Sequence, residues 1–517
     1  MSQKFTSTIA GASIFISILG LLSRGLGFIR EMIFANNFGL ETEFDLYLVG
    51  AVLPITINTV ILYIGQNYFI PEFQKINPAH QQQAQKYFKH SILFFTASGL
   101  ILAILLFLAS EMIVDFYMQS AGHSSKETAI LVFKIFLITI PFSAAVSVLS
   151  ALMQSLYEFK HPAISILFFN ISIIILLLFL SDRFGVYIIP IGYVVGTLLQ
   201  FIYLIFKSRK FLKFDFRINI EELNNSKSIL SSSIVIIILI ESIGQMYSIF
   251  DRYFLGYISP GGIASLNYAL IIFLLPISIF SVSLATVVFP KITQAIVNSS
   301  KNDLQRIYNE SISINILIFM PFTFLLFYFG ETIIKIAFER GKFLGASTTI
   351  TYNVLKCYSI SLIFYSVYTV LNKMFYSLNL VKLLLVVTIM GIILKMIFNF
   401  LLVEQYQQYG LAISTSISFI FFFSVSYLLI NRKLEVSDKT LFIKEFCFYF
   451  INSCVCLLFI KIIANVLPDN KMITELMIIA FFIILYLLNL ILIKHKVIVI
   501  LNQVFPKLNL NSLFRTS

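Results

Sequence analysis

Apolar stretches of about twenty residues or more recur from one end of the chain to the other, with only short polar connections between them. They fall near 6–34, 44–71 and 88–109 at the start and near 442–466 and 472–493 at the end. The pattern gives about fourteen in all. About twenty residues rising 1.5 Å each cover the hydrocarbon core of a bilayer, so each stretch predicts one membrane-spanning helix. Backbone groups in lipid must pair within their own segment, and the short alternating segments of a barrel are not seen. The fold class read from the pattern is an all-α polytopic membrane protein. The longest connections, 73–87, 208–227 and 291–308, mix Lys or Arg with Asn, Gln and scattered apolar residues, so helices lying at the interface are expected there.

Composition agrees: of 517 residues, 59% are hydrophobic and 12% charged. A net charge of +12 would point to nucleic acid in a soluble chain. Here the basic residues gather in alternate connections, with Lys75, Lys160, Lys207, Arg217, Lys301 and Arg432 among them, while the first odd-numbered connection carries Glu41, Glu43 and Asp45. That asymmetry excludes a nucleic-acid partner and sets both termini in the cytoplasm. The first apolar run contains Arg24 and Arg30 and continues too far for a cleavable signal. Cys357, Cys447, Cys454 and Cys456 sit in apolar helical runs without ligand spacing, so buried packing is expected of each, with no metal and no cofactor.

An internal repeat organises the chain. Residues 30–57 match residues 252–279 at an offset of about 222, placing Arg30 on Arg252, Gly39 on Gly261, Asp45 on Asn267 and Pro54 on Pro276. After a small gap Phe69-Ile70-Pro71 falls on Val288-Phe289-Pro290. Six spans separate the copies, so both face the same way. The implied plan is a six-helix lobe over 1–207, an interfacial linker over 208–227, a second six-helix lobe over 228–431, and two further spans with a tail over 432–517. Two lobes with a seam at mid-membrane make an alternating-access transporter rather than an enzyme.

Charge inside a span is costly and marks function by default. The first span holds Arg24, Arg30 and Glu31, with Gly20, Gly25 and Gly27 expected to interrupt the helix and bend both arginines toward one cavity. A guanidinium fork matches phosphate oxygens, whereas snorkelling to the interface is the plainer alternative. The seventh span holds Glu241, Asp251 and Arg252; Glu241 is either a cavity group or half of an ion pair. Asn58, in the second span, reads best as an interhelical hydrogen-bonding group.

The stretch Ser23-Arg24-Gly25-Leu26-Gly27-Phe28-Ile29-Arg30-Glu31 resembles the first-helix signature of the MurJ lipid II flippases. Asp45 with Leu53-Pro54, the run from Asp251 through Asn267-Tyr268-Ala269 to Leu275-Pro276, and the segments Phe338–Phe343 and Gly410–Ser416 are similar to further motifs of that family, in order over about 20–430. The resemblance implies a polyprenyl-pyrophosphate-linked sugar as substrate, a central cationic cavity, the bacterial inner membrane, and a groove for the lipid tail along the last two spans. It implies substrate contacts for Arg24, Arg30 and Asp45, with Glu31, Asn58, Glu241 and Arg252 beside them. Asn58, and Ile271 or its neighbour, stand where the family carries two more arginines, which opens the way to a related surface-polysaccharide unit. Some members bind sodium at positions that fall on Asp251, Lys395, Asn399, Leu411 and Thr415. Lys395 is incompatible with a neighbouring sodium ion, so a built-in Lys395–Asp251 pair is expected instead. A multidrug or cation antiporter of the same architecture is the second reading, and a membrane glycosyltransferase the third. The expected partners are the lipid-linked sugar and membrane lipids, and the oligomeric state stays open.

Overall fold

A computed structural model describes residues 9–75, 81–118, 122–209, 232–298, 300–378, 380–435, 440–464 and 471–492. The linker expected over 208–227 lies almost wholly outside these residues, as does the tail beyond 492. Every regular element among them is helical. In chain order these are α1 (Ile9–Phe38), α2 (Thr42–Ile64), α3 (Ile70–Lys75), α4 (Gln81–Leu108), α5 (Ser110–Tyr117), α6 (His123–Leu137), α7 (Thr139–Ser155), α8 (Lys160–Phe184) and α9 (Ile188–Ser208). They continue as α10 (Ser232–Tyr253), α11 (Gly262–Pro276), α12 (Val282–Val297), α13 (Lys301–Phe338), α14 (Gly345–Ser359), α15 (Leu362–Ser377), α16 (Val381–Leu434), α17 (Leu441–Ala464) and α18 (Lys471–Leu492).

Length and hydropathy single out 9 of the described helical stretches as able to cross a membrane, or 10 when the bent pair α14–α15 counts as one span. Two of the nine are double. Lys160–Ser208 has 49 residues broken at Gly185, and Val381–Leu434 has 54 residues with a non-helical backbone at Gln407. With α1 and α10 added, the helices fall where the apolar stretches lie. The chain is a multi-pass membrane protein.

The chain divides into two compact units: Met1–Ser265 with Phe338–Ser347 and Phe398–Leu411, and Leu266–Ala337 with Thr348–Ile397 and Ala412–Ser517. In the first, α8 packs against both α9 and α1, α4 against α7, and α2 against α6, α7 and α10. Its core holds Val49, Ala129, Phe133 and Ile140 in one cluster and Phe69, Leu149, Leu152 and Leu204 in another. In the second, Phe273 stacks on Phe419 and meets Tyr365 at a tilt, and α17 lies along α18.

Each unit has one π-turn in a membrane helix, and each is met by hydroxyl chemistry. α2 passes through the π-turn Gly65–Phe69 into α3, and Ser147 Oγ donates to the Ile61 carbonyl at 2.8 Å. α11 passes through the π-turn Ile277–Ser281 into α12, and Ser281 Oγ donates to the Ser366 carbonyl at 2.7 Å beside Asn315 and Thr369. In the first case a hydroxyl of α7 reaches the helix just before the π-turn, and in the second the π-turn's own Ser281 reaches out to α15, so both join the widened turn to a neighbouring helix by an interhelical hydrogen bond.

Three sequence expectations change here. Gly20, Gly25 and Gly27 do not interrupt the first span: α1 runs unbroken through them. A glycine costs a helix only about 1 kcal/mol, and a 30-residue helix absorbs it. Among its described residues the connection 291–308 holds no separate helix, because α12 extends to Val297 and α13 begins at Lys301. In 73–87, likewise, the described residues belong to α3 and to an extended α4. Continuing a formed helix adds one hydrogen bond per residue without a new nucleus, which favours extension over a separate element. Cys447, expected to be buried, is exposed on α17.

Candidate functional site

The charged residues of α1 separate into two environments. Arg24 is exposed, and beside it a Cβ added at Gly20, Gly25 or Gly27 would meet nothing within 4 Å. Arg30 is withdrawn into the helix bundle. Its Nη2 donates to Glu31 Oε1 at 2.8 Å and its Nη1 to Asn170 Oδ1 at 3.3 Å. The guanidinium lies 5.4 Å from the Tyr193 ring centroid and 5.7 Å from that of Phe34. Asn170 is itself oriented, because its Nδ2 donates to the Ile166 carbonyl at 3.2 Å and leaves Oδ1 toward the arginine. Tyr47 and Tyr193 close the cage with a side-chain hydrogen bond. The side chains of Arg30 and Glu31 retain 15% and 13% exposure, so Arg30 is caged rather than snorkelling. Its Nε is buried with no hydrogen-bond partner among the described residues. Asn58 donates to Thr139 Oγ1 at 2.6 Å, the interhelical bond expected of it.

Asp45 is placed otherwise than beside Arg30. It is 1% exposed, and both carboxylate oxygens accept backbone N–H bonds, from Gly261 and from Ala264, each at 2.6 Å. The carboxylate thus caps the start of α11, where the helix leaves its first N–H groups without intrahelical partners. Arg252, near the end of α10, is half-buried. Around Asp45 three turns of the first unit interlock. Gly39 has φ +52° and Gly341 φ +55°, both left-handed. The Lys342 N–H donates to the Asn36 carbonyl at 2.9 Å. A Cβ on Gly39 would meet the Lys342 carbonyl oxygen at 2.5 Å, and one on Gly341 would collide with Asn36. Lys342 Nζ lies 2.9 Å from Glu41 Oε2 across the same contact.

Of the seventh-span residues, Glu241 has a side chain outside the described residues. Asp251 is buried and accepts a hydrogen bond from Asn399 Nδ2 at 3.1 Å. Lys395, one turn before Asn399, and Thr415 are both buried as well. No group of three or more His, Cys, Asp or Glu side chains among the described residues could hold a metal ion.

Sequence reasoning did not reach Asn170, Tyr193 or the Lys342–Glu41 pair. An asparagine alone in the middle of an apolar span was the available signal for the first. The others depend on which helices become neighbours.

The helical fold is shared with solved transporters of the MOP superfamily. A structure described as lipid II flippase MurJ in an inward closed conformation matches 92% of this chain and 97% of its own, with TM-score 0.77 and 23% identity. An inward-facing multidrug resistance MATE family transporter of the MOP superfamily matches 80% and 94%, with TM-score 0.68 and 15% identity. The family model described as lipid II flippase MurJ matches residues 34–487, and the chain belongs to that family. The lipid II flippase MurJ of Thermosipho africanus is 28% identical over 86% of this chain and 89% of its own length. The probable lipid II flippase MurJ of Buchnera aphidicola subsp. Acyrthosiphon pisum is 26% identical over 81% and 82%.

Proposed function

We propose that this protein carries lipid II, or a closely related undecaprenyl-pyrophosphate-linked sugar, from the inner to the outer leaflet of the bacterial cytoplasmic membrane by alternating access. Family membership supports the substrate class. The observation that carries the reading in this chain is the cage around Arg30. A guanidinium held by Glu31, Asn170 and Tyr193 inside a bundle keeps a fixed positive centre where lipid would otherwise exclude one. Pyrophosphate is the ligand such a fork suits.

In this reading Arg24, exposed on the open face of α1, meets the pyrophosphate first, and Arg30 receives it by exchanging part of its bonding to Glu31. The distribution of basic residues puts the interlocked turns around Asp45 on the outer side. The division into lobes 1–207 and 228–431, with the last two spans lining the tail groove, belongs to the same proposal.

The test is flipping of fluorescent lipid II in proteoliposomes by the wild-type chain and by Arg24→Ala. The reading requires transport by the former and its loss in the latter with α-helical content unchanged. Transport of an organic cation in place of lipid II would overturn it.

A further inference from the structure

A second binding feature lies away from the arginine cage. Between α4 and the α6–α7 pair runs an apolar groove of about 690 Å³. Small side chains make it: Ala97 and Ala103 on α4 face Pro141 and Ala145, where the chain breaks between α6 and α7 at Ile138. Beneath it the helices touch closely, since a Cβ on Gly99 would stand 3.3 Å from Ala144 Cβ. On α4 the lining runs from Leu93 to Phe107, about 21 Å at 1.5 Å per residue. That exceeds the roughly 15 Å of one leaflet's hydrocarbon.

Among the described lining residues the charged one is Lys134, at the Phe107 end. Lys134 lines the groove beside Phe107, with Nζ 5.2 Å from that ring centroid and 3.7 Å from Glu111 Oε1. Glu111 is on α5, a short helix that also presents Met112 and Phe116 outward. One turn along, Asp115 Oδ1 is 2.7 Å from Lys126 Nζ. The Lys134 side chain is 28% exposed and that of Glu111 76%, so both heads remain open to a ligand. An apolar channel of leaflet length with an adjoining cation and anion at its mouth matches a zwitterionic lipid.

We propose that this groove seats one acyl chain of a phosphatidylethanolamine-type phospholipid, its phosphate on Lys134 and its primary ammonium on Glu111. Phosphatidylcholine has the same charges but no N–H to donate to Glu111. Phosphatidylglycerol has the phosphate and no cation for Glu111 to meet. The occupant belongs to the leaflet at the Lys134 end, the outer one in the orientation proposed above.

The test uses the full-length chain, purified and delipidated, with each of the three lipids added in equal amount and adducts counted by native mass spectrometry. Phosphatidylethanolamine should be retained about threefold or more over phosphatidylcholine, the scale of one partly exposed ion pair. Glu111→Gln should erase that preference. Lys134→Gln should lower retention of phosphatidylethanolamine and phosphatidylglycerol alike, and Ala97→Phe, which fills the groove, should lower all three. A phosphatidylethanolamine carrying a diazirine on its acyl chain should label peptides containing 93–107. Equal retention of the three lipids by the wild-type chain, unchanged retention by Lys134→Gln, or labelling confined to other helices would each overturn the proposal.

Discussion

At the scale of single residues, burial and fixed partners decide what a charge can do. Arg30 has one carboxylate, one amide and two rings around it, and a lysine in its place has neither the flat face nor the fork to use them. Arg30→Ala should lower lipid II flipping about tenfold or more, the consequence of losing charge-assisted hydrogen bonds worth roughly 1.5–3 kcal/mol each. Arg30→Lys should recover only part of it, and initial rates in proteoliposomes check both. Asp45 presents the opposite case, a carboxylate committed to two backbone donors. Asp45→Asn turns one acceptor into a donor facing an N–H, and the buried amide it orphans costs about 1–3 kcal/mol. The expected outcome is a lower melting temperature for the purified variant. Arg24, Arg30 and Asp45 were legible in the sequence because charges in apolar runs stand out. Asn170 and Tyr193 were not, because nothing along α8 or α9 says that they face α1.

At the scale of elements, the turns 39–41, 259–262 and 339–343 form a closure that relies on backbone approach rather than side-chain bulk. Gly341→Val strains a left-handed residue and drives a side chain into Asn36, so the closed arrangement should lose population. Maleimide labelling of Leu40→Cys is the measurement. With Gly341→Val present, labelling from the outer side should accelerate several-fold, on the order of the 1–3 kcal/mol such strain costs. Gly39 and Gly261 were visible as partners in the sequence repeat, yet the repeat could not say that their turns meet the segment around Gly341. The separate helices expected over 73–87 and 291–308 were misread for a related reason. Polar residues in a connection look alike whether the adjoining membrane helix stops before them or runs through, and the cost of a fresh helix nucleus favours running through.

At the scale of the whole molecule, the remaining prediction concerns the coupling ion. Lys395 is fully buried one turn before Asn399, and a chain that carries its own buried ammonium has less need of a bound cation. Flipping should proceed at the same rate when potassium replaces sodium on both sides of the vesicle; a rate that falls with sodium removal counts against this. The sequence by itself determined the class, the order of the apolar helices along the chain, and the presence of guanidinium groups inside the first span. Those follow from hydropathy and backbone pairing in lipid, which act locally along the chain. Only the tertiary structure decided that Arg30 is caged by α8 and α9, that Asp45 caps α11, and that three distant turns interlock. Between membrane helices hydrophobicity gives no direction, since lipid is as apolar as the helix faces; neighbours are chosen by close packing of small residues and by polar pairing. Those choices join residues 140 or more positions apart, such as Arg30 and Asn170 at a separation of 140 or Asp45 and Gly261 at 216, and a local pattern holds no record of them.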